Sequence, residues 1–268
     1  MSLLINGLSL VPRNGISRLA GQFSRSRLSR PLIPWFARRY DLAMEEAVVP
    51  ALGFNPLHEV FTRALVDGAR PIAKAPLVSP ADGVVAQCGK VQQGHLIQAK
   101  GKTYSAEALI GSELDDPDAF DYATIYLSPH DYHRLHSPAT MSVDQRCAIP
   151  GTLWPVNPIS VAEVDRLFCV NERVALRGQV GDHTLFTILV GATIVGGIKL
   201  AFDEAYSANP RAPSAERFTY SEPHCLAAGE PLGHFEFGST AVLLWPRALG
   251  KLTVRPGDRV RVGEALVR

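Results

Sequence analysis

Leu185-Phe186-Thr187-Ile188-Leu189-Val190-Gly191-Ala192-Thr193-Ile194-Val195-Gly196-Gly197-Ile198 is the best candidate in the chain for a membrane span, and its reading decides the fold. At 14 residues it is too short to cross a bilayer as a helix, which takes about 20. Its β-branched residues suit buried strands. The glycines embedded in it fit close backbone approach better than a phosphate-binding loop.

Outward from this run, short β-branched stretches recur between Gly, Pro, Asn and Asp: Gly83–Val85, Thr124–Leu127, Val143–Ile149, Val174–Leu176, Thr184–Ile198, His234–Leu244 and Leu252–Val254. Such spacing predicts an antiparallel, β-rich domain. Two turn-strand units, Pro80–Val85 and Arg255–Glu264, are similar to the hairpin phrases of barrel-sandwich folds.

Ahead of Pro71 the character is helical. Ile16, Leu19, Ala20 and Phe23 fall on one helical face, with Asn14 as the expected N-cap. Pro31 and Pro34 interrupt, and Trp35, Phe36, Arg38, Arg39 and Tyr40 then mix aromatic rings with cations. A second helical stretch, Ala43–Arg70, is broken by Pro50 and Pro56. The first 40 residues hold seven arginines and no Asp, Glu or Lys. The other 20 basic residues (27 less those seven) face all 26 acidic ones. A basic front end on an acidic body suits an anionic surface. Two readings of the first helix stay open: one lying in a lipid interface with arginines on phosphates, or an ordinary amphipathic helix packed on the body. The expected fold class is α+β: a β-rich, antiparallel, barrel-sandwich-like domain over residues 71–268, preceded by a helical, membrane-associating segment over 1–70.

With 46% hydrophobic and 20% charged residues, the chain can bury a core. A net charge of +1 excludes a protein that is basic throughout. Cys88, Cys147, Cys169 and Cys225 are widely spaced and read as reduced thiols. The N-terminus lacks the pattern of a signal peptide, so a soluble or peripheral protein is expected.

Three places carry chemistry. Gly238-Ser239-Thr240 lies between two strand-like runs. A Gly-Ser bond is the least hindered place for a hydroxyl to attack the preceding carbonyl, yet on the tripeptide alone an ordinary turn is the better reading. His130, His133 and His136 recur at spacing three. They fit solvated loop residues, a metal site or acid–base catalysis, with Arg134 disfavouring a cation. Asp82, before Gly83, reads alone as a turn former; a buried carboxylate there could instead fix a histidine tautomer.

Together these motifs resemble one family. Ser79-Pro80-Ala81-Asp82-Gly83, Tyr126 to Pro138, Gln98-Ala99-Lys100-Gly101, Asn171-Glu172-Arg173, Val190 to Gly196 and Phe237-Gly238-Ser239-Thr240 are similar to those of phosphatidylserine decarboxylase proenzymes of the bacterial, membrane-associated kind. The resemblance runs from about Phe54 to Val242. It departs at Phe237, where the family usually has Leu, and at His130, where relatives often have Arg.

The resemblance implies that Asp82, His136 and Ser239 form a self-processing triad. Cleavage between Gly238 and Ser239 would give a β chain (1–238) and an α chain (239–268). Ser239 would become a pyruvoyl group, the only cofactor, with no metal. That group would form a Schiff base with phosphatidylserine and release CO2 and phosphatidylethanolamine, with His133 as acid–base. Implied partners are phosphatidylserine, an anionic membrane surface and the paired β and α chains, a further homo-oligomer being left open and nucleic acid excluded. The implied location is peripheral, on the cytoplasmic side of the cell membrane. The rival readings are a metal-dependent hydrolase built on His130, His133 and His136, a non-catalytic membrane-binding module, and a pyruvoyl enzyme for a soluble amino acid.

Overall fold

The computed structural model describes residues 13–193, 197–206, 208, 214–236 and 239–268. Thirteen strands lie among them: β1 (Gly83–Lys90), β2 (His95–Ala99), β3 (Lys102–Ser105), β4 (Phe120–Leu127), β5 (Arg134–His136), β6 (Met141–Ile149), β7 (Arg173–Val180), β8 (His183–Val190), β9 (Ile198–Leu200), β10 (Glu216–Leu226), β11 (Pro231–Phe235), β12 (Ser239–Pro246) and β13 (Arg259–Val260). Eight of them form one antiparallel sheet in the order β10-β6-β7-β8-β12-β4-β1-β13. A second sheet has the order β5-β11-β9, and β2 and β3 form a hairpin. The architecture is α+β and sheet-rich. The main sheet is open, since β10 and β13 end it without pairing each other.

Alternation along the central strands sorts their side chains onto two faces. Ala241 and Leu243 of β12 and Ile125 and Leu127 of β4 pack with Leu135, Ile198, Leu232 and Phe235 of the small sheet. Val242 and Leu244 point the other way, among Leu109, Val161 and Phe168 of three short helices. The small sheet therefore lies on one face of the large one, and the short helices lie on the other.

Several strand readings needed adjustment. The apolar run divides at Val190, where β8 ends, and resumes as β9 at Ile198. His234–Leu244 is two strands in different sheets. Leu252 makes only an isolated bridge to Val267. β10, the longest strand at 11 residues, has no counterpart in the sequence reading because it is a solvated edge strand with few buried side chains.

Three helices precede the sheets: α1 (Arg13–Arg25), α2 (Ile33–Arg39) and α3 (Leu57–Phe61). Asn14 lies inside α1 and is not its cap. Ala43–Arg70 is mostly irregular, with Pro56 immediately ahead of its short helix α3. α1 turns its small residues inward: Ser17 is fully buried, as are Gly21 and Ser24, one and two turns on. Its apolar stripe faces out, with Leu19 68% and Phe23 44% exposed. Leu28, Leu32 and Trp35 continue the exposed apolar surface. Phe36, Leu42, Leu57, Val60 and Phe61 form a separate small core. Arg134 Nε donates to Thr62 O at 2.8 Å, and Arg25 pairs with Glu236, so this segment is held against the body. No helix among the described residues is long and apolar enough to cross a membrane.

Candidate active site

β11 belongs to the small sheet and β12 to the large one. β11 ends at Phe235 in one sheet, and Ser239 is the first residue of β12 in the other. It pairs with Leu127, the last residue of β4. Both share a face with Ala241 and Leu243, the face under the small sheet. Ser239 is fully buried, and its Oγ has no hydrogen-bond partner among the described residues. Gly238 and Phe237 lie outside the described residues.

His133 lies just before β5, on the same side of the chain as core residue Leu135. Its carbonyl accepts from Phe235 N at 3.0 Å. The ring is fully buried, with Phe61 edge-on at 5.6 Å. Nδ1 lies 2.8 Å from Asp131 O. A carbonyl oxygen only accepts, so Nδ1 carries the hydrogen and Nε2 is left as a bare lone pair. That Nε2 is buried without a partner among the described residues. Burial pushes the imidazole pKa down to about 4, so the ring is neutral at pH 7.

His136 alternates with Leu135 and faces away from that core. Its Nδ1 donates to Gly229 O at 2.8 Å, and its Nε2 accepts from the Tyr132 hydroxyl at 3.0 Å. The two rings stack at 5.6 Å. Burial lowers its pKa, while the Gly229 carbonyl and, more weakly, the charge of Asp82 raise it.

Asp82 is buried in a clamp. Arg70 Nε bonds both carboxylate oxygens at 3.0 Å, and Arg70 Nη2 adds a third contact at 2.5 Å. Val262 N donates to Oδ1 at 2.8 Å. Among the described residues no hydrogen bond joins Asp82, His136 and Ser239 to one another. The fold brings Asp82 and His136 into one neighbourhood, sets Ser239 on the large-sheet face under the small sheet, and seats His133 against Phe61 and the backbone of β11.

The three histidines do not converge. His130 is half-exposed beside Ser128, while His133 and His136 each bind a different carbonyl. No group of three His, Cys, Asp or Glu arranged to hold a metal ion occurs among the described residues. The Asn171-Glu172-Arg173 motif is largely scaffolding: Asn171 Nδ2 donates to Trp154 O and Gly191 O, and Arg173 donates to four carbonyls.

A cavity of about 280 Å³ opens between α2 and the end of the large sheet. Phe36, Tyr40, Phe61, Leu127, Val156 and Ala192 line it. Two of these walls touch the site directly, because Phe61 meets the His133 ring and Leu127 pairs with Ser239.

Arg70, Tyr132 and Phe61 escaped the sequence reading as site residues. Tyr132 lay inside the histidine motif, where its place next to an imidazole could have been asked about. Arg70 and Phe61 fell in a stretch read only for helical periodicity, which says nothing of which carboxylate or ring a side chain will meet.

The family model for phosphatidylserine decarboxylase matches residues 57–268. The chain is 40% identical to a phosphatidylserine decarboxylase proenzyme of Anaeromyxobacter sp., over 98% of this chain and 97% of that one. It is 39% identical to the proenzyme of Chromobacterium violaceum, over 98% of each. With that of Albidiferax ferrireducens it shares 38% identity, over 97% of this chain and 94% of the other. Matches of this identity, running from the N-terminal helices through Ser239 to the last strand, place the chain in the phosphatidylserine decarboxylase family.

Proposed function

We propose that this chain is a phosphatidylserine decarboxylase that makes its own catalytic group at Ser239. The observation that carries the reading is the buried, unpartnered Ser239 Oγ at the point where the chain passes from one sheet to the other. A buried hydroxyl without a partner is costly, and a nucleophile aimed at its own backbone is a reason to keep one. In self-processing, Oγ attacks the carbonyl of Gly238 and the amide becomes an ester. We assign the hydroxyl proton to His136 Nε2, which has to leave the Tyr132 hydroxyl and swing to the Ser239 side of β5 to take it, and Asp82 stabilises the charged ring. β-Elimination then frees residues 1–238 with a C-terminal carboxylate and leaves dehydroalanine at position 239, whose imine tautomer water hydrolyses to the pyruvoyl carbonyl with loss of ammonia.

The α chain of thirty residues stays bound. β12 is hydrogen-bonded to both β4 and β8 in the middle of the sheet, and Val262 N–H holds Asp82 of the β chain.

A pyruvoyl group at position 239 would supply an electrophilic carbonyl for the substrate amine and an electron sink for loss of CO2. The residues around Ser239 fit that use. His133 Nε2 takes a proton from the incoming ammonium and returns one to the carbon that has lost CO2. Phe61, Leu127 and Val156 keep water from the departing carboxylate, which favours loss of its charge.

The exposed apolar stripe of α1 and the neighbouring Leu28, Leu32 and Trp35 support peripheral docking on the cytoplasmic side of the cell membrane, with arginines on anionic lipid. Burying each such side chain contributes about 2 kcal/mol. Leu19→Glu combined with Phe23→Glu is expected to cut co-sedimentation with phosphatidylserine vesicles at least about ten-fold. Activity on a short-chain, dispersed substrate should persist. Unchanged sedimentation would remove α1 from the docking surface.

Mass spectrometry of the purified protein tests the main reading. A fragment of residues 239–268 with a blocked N-terminus, together with CO2 release from phosphatidylserine, is the expected result. A single intact chain that releases no CO2 would overturn it.

A further inference from the structure

A second cavity, of about 330 Å³, lies on the other side of the site and is polar. Arg63, Arg70, Asp82, Tyr132, Arg259 and Arg261 are among its walls. Most of its charges are matched. Arg70 holds Asp82 and Glu46, Arg259 holds Asp131 at 2.6 Å, and Arg261 lies 3.6 Å from Glu46. Asp41 and Glu264 also line the cavity without an ion pair among the described residues, and of its four arginines only Arg63 lacks a carboxylate partner there. It is only 5% exposed, its Nη1 donates to the carbonyl of Val60 at 3.0 Å, and its Nε has no partner among the described residues. No carboxylate among the described residues is within ion-pair distance of it.

A buried guanidinium with one neutral acceptor is expensive unless an anion completes it. Burial lowers the Arg63 pKa, although the guanidinium still carries its charge at neutral pH. The position is specific: Arg63 follows Phe61, whose ring abuts His133, and it shares the cavity with Tyr132, which bonds His136.

We infer that Arg63 is the residue that binds the phosphate of the phosphatidylserine headgroup, an assignment resting on the decarboxylase reading above. The headgroup carries two anions, and the chemistry separates them. A guanidinium on the carboxylate would stabilise a charge that disappears as CO2 leaves, favouring the ground state over the transition state. The phosphate keeps its charge throughout, so holding it favours both states equally. Bidentate binding of phosphate by arginine also suits its geometry. Asp41, Ala43 and Glu46 also line the polar cavity, in the segment that joins α2 to the exposed Val48, Val49 and Leu52. A lipid resting on that surface places its phosphate at Arg63, its amine towards His133 and Ser239, and its carboxylate in the apolar cavity beyond Phe61.

Such uniform binding has a kinetic signature. With dihexanoyl phosphatidylserine in detergent, processed Arg63→Ala should show a KM raised about ten-fold or more, and kcat within about three-fold of the parent. Glycerophosphoethanolamine, which has the phosphate and no carboxylate, should inhibit the parent and lose that effect in the variant. Serine, which has the carboxylate and no phosphate, should behave alike in both. An unchanged KM, or a fall in kcat alone, overturns the assignment. A selective loss of serine inhibition would give Arg63 to the carboxylate and overturn it too. If Arg63→Ala yields no folded protein, Arg63→Lys carries the same measurements with the charge kept. Failure of both to form the 239–268 fragment would make Arg63 structural. A parent enzyme that releases no CO2 would sink the decarboxylase reading itself, a separate outcome from any of these.

Discussion

Ser239→Ala leaves a single chain of 268 residues and no decarboxylase activity. The substitution removes only the γ-oxygen, from a fully buried residue whose Oγ has no hydrogen-bond partner. No hydrogen bond is lost, the freed volume is one oxygen, and β12 keeps its ladder to β4 and β8. The fold should therefore survive with near-parental Tm, and any loss of function is chemical. Without Oγ nothing attacks the carbonyl of Gly238, so both the cleavage and the catalytic carbonyl vanish together. Intact mass, Tm and CO2 release on the same sample check this. A Ser239→Ala protein that still yields residues 239–268 would place the cleavage chemistry elsewhere. One that stays intact yet releases CO2 would detach the activity from the processing. Ser239→Thr keeps the hydroxyl and is expected to cleave slowly, because its added methyl meets the packed layer between the two sheets.

How much of this could be read in the sequence depends on the range of the interaction. The β-rich class was legible because β4, β7, β8 and β12 are buried runs of β-branched and apolar residues bounded by turn formers. β10 was not, since its side chains are mostly solvated and only its backbone pairing with β6 makes it a strand. The stripe of α1 was visible, but its direction was not. Periodicity finds an apolar face and is silent on whether that face meets protein or solvent, and here Ser17, Gly21 and Ser24 take the inside. At the site, Asp82, His133, His136 and Ser239 were named from motifs, yet their partners belong to distant segments. Arg70, Gly229 and Val262 complete Asp82 and His136 through contacts set by topology. Phe61 meets His133 across 72 residues of chain, counting from 61 to 133. No local pattern carries such pairings.

His133→Ala should process normally and then turn over slowly, whereas His136→Ala should fail to process. The contrast follows from the separate roles proposed for the two rings. His136 Nε2 is held by Tyr132 in the neighbourhood of Asp82, and the proposal gives it the Ser239 proton. His133 Nε2 is buried with no partner among the described residues, and its ring abuts Phe61, a wall of the apolar cavity. Loss of a positioned acid–base group costs about 10²- to 10⁴-fold in rate, so His133→Ala should give the 239–268 fragment and a kcat lowered by that order. pH adds a second readout. The folded pKa of His133, about 4, lies below the ordinary 6.5. A depressed pKa means that its contribution to stability is fully present above pH 6.5 and is lost as pH falls through 4. His133→Gln, which cannot titrate, should therefore flatten the fall in Tm across that window while leaving Tm near pH 8 governed by packing alone. Full activity in processed His133→Ala would end its catalytic assignment. Normal cleavage in His136→Ala would hand the Ser239 proton to another base, and the bare Nε2 of His133 would be the first to test.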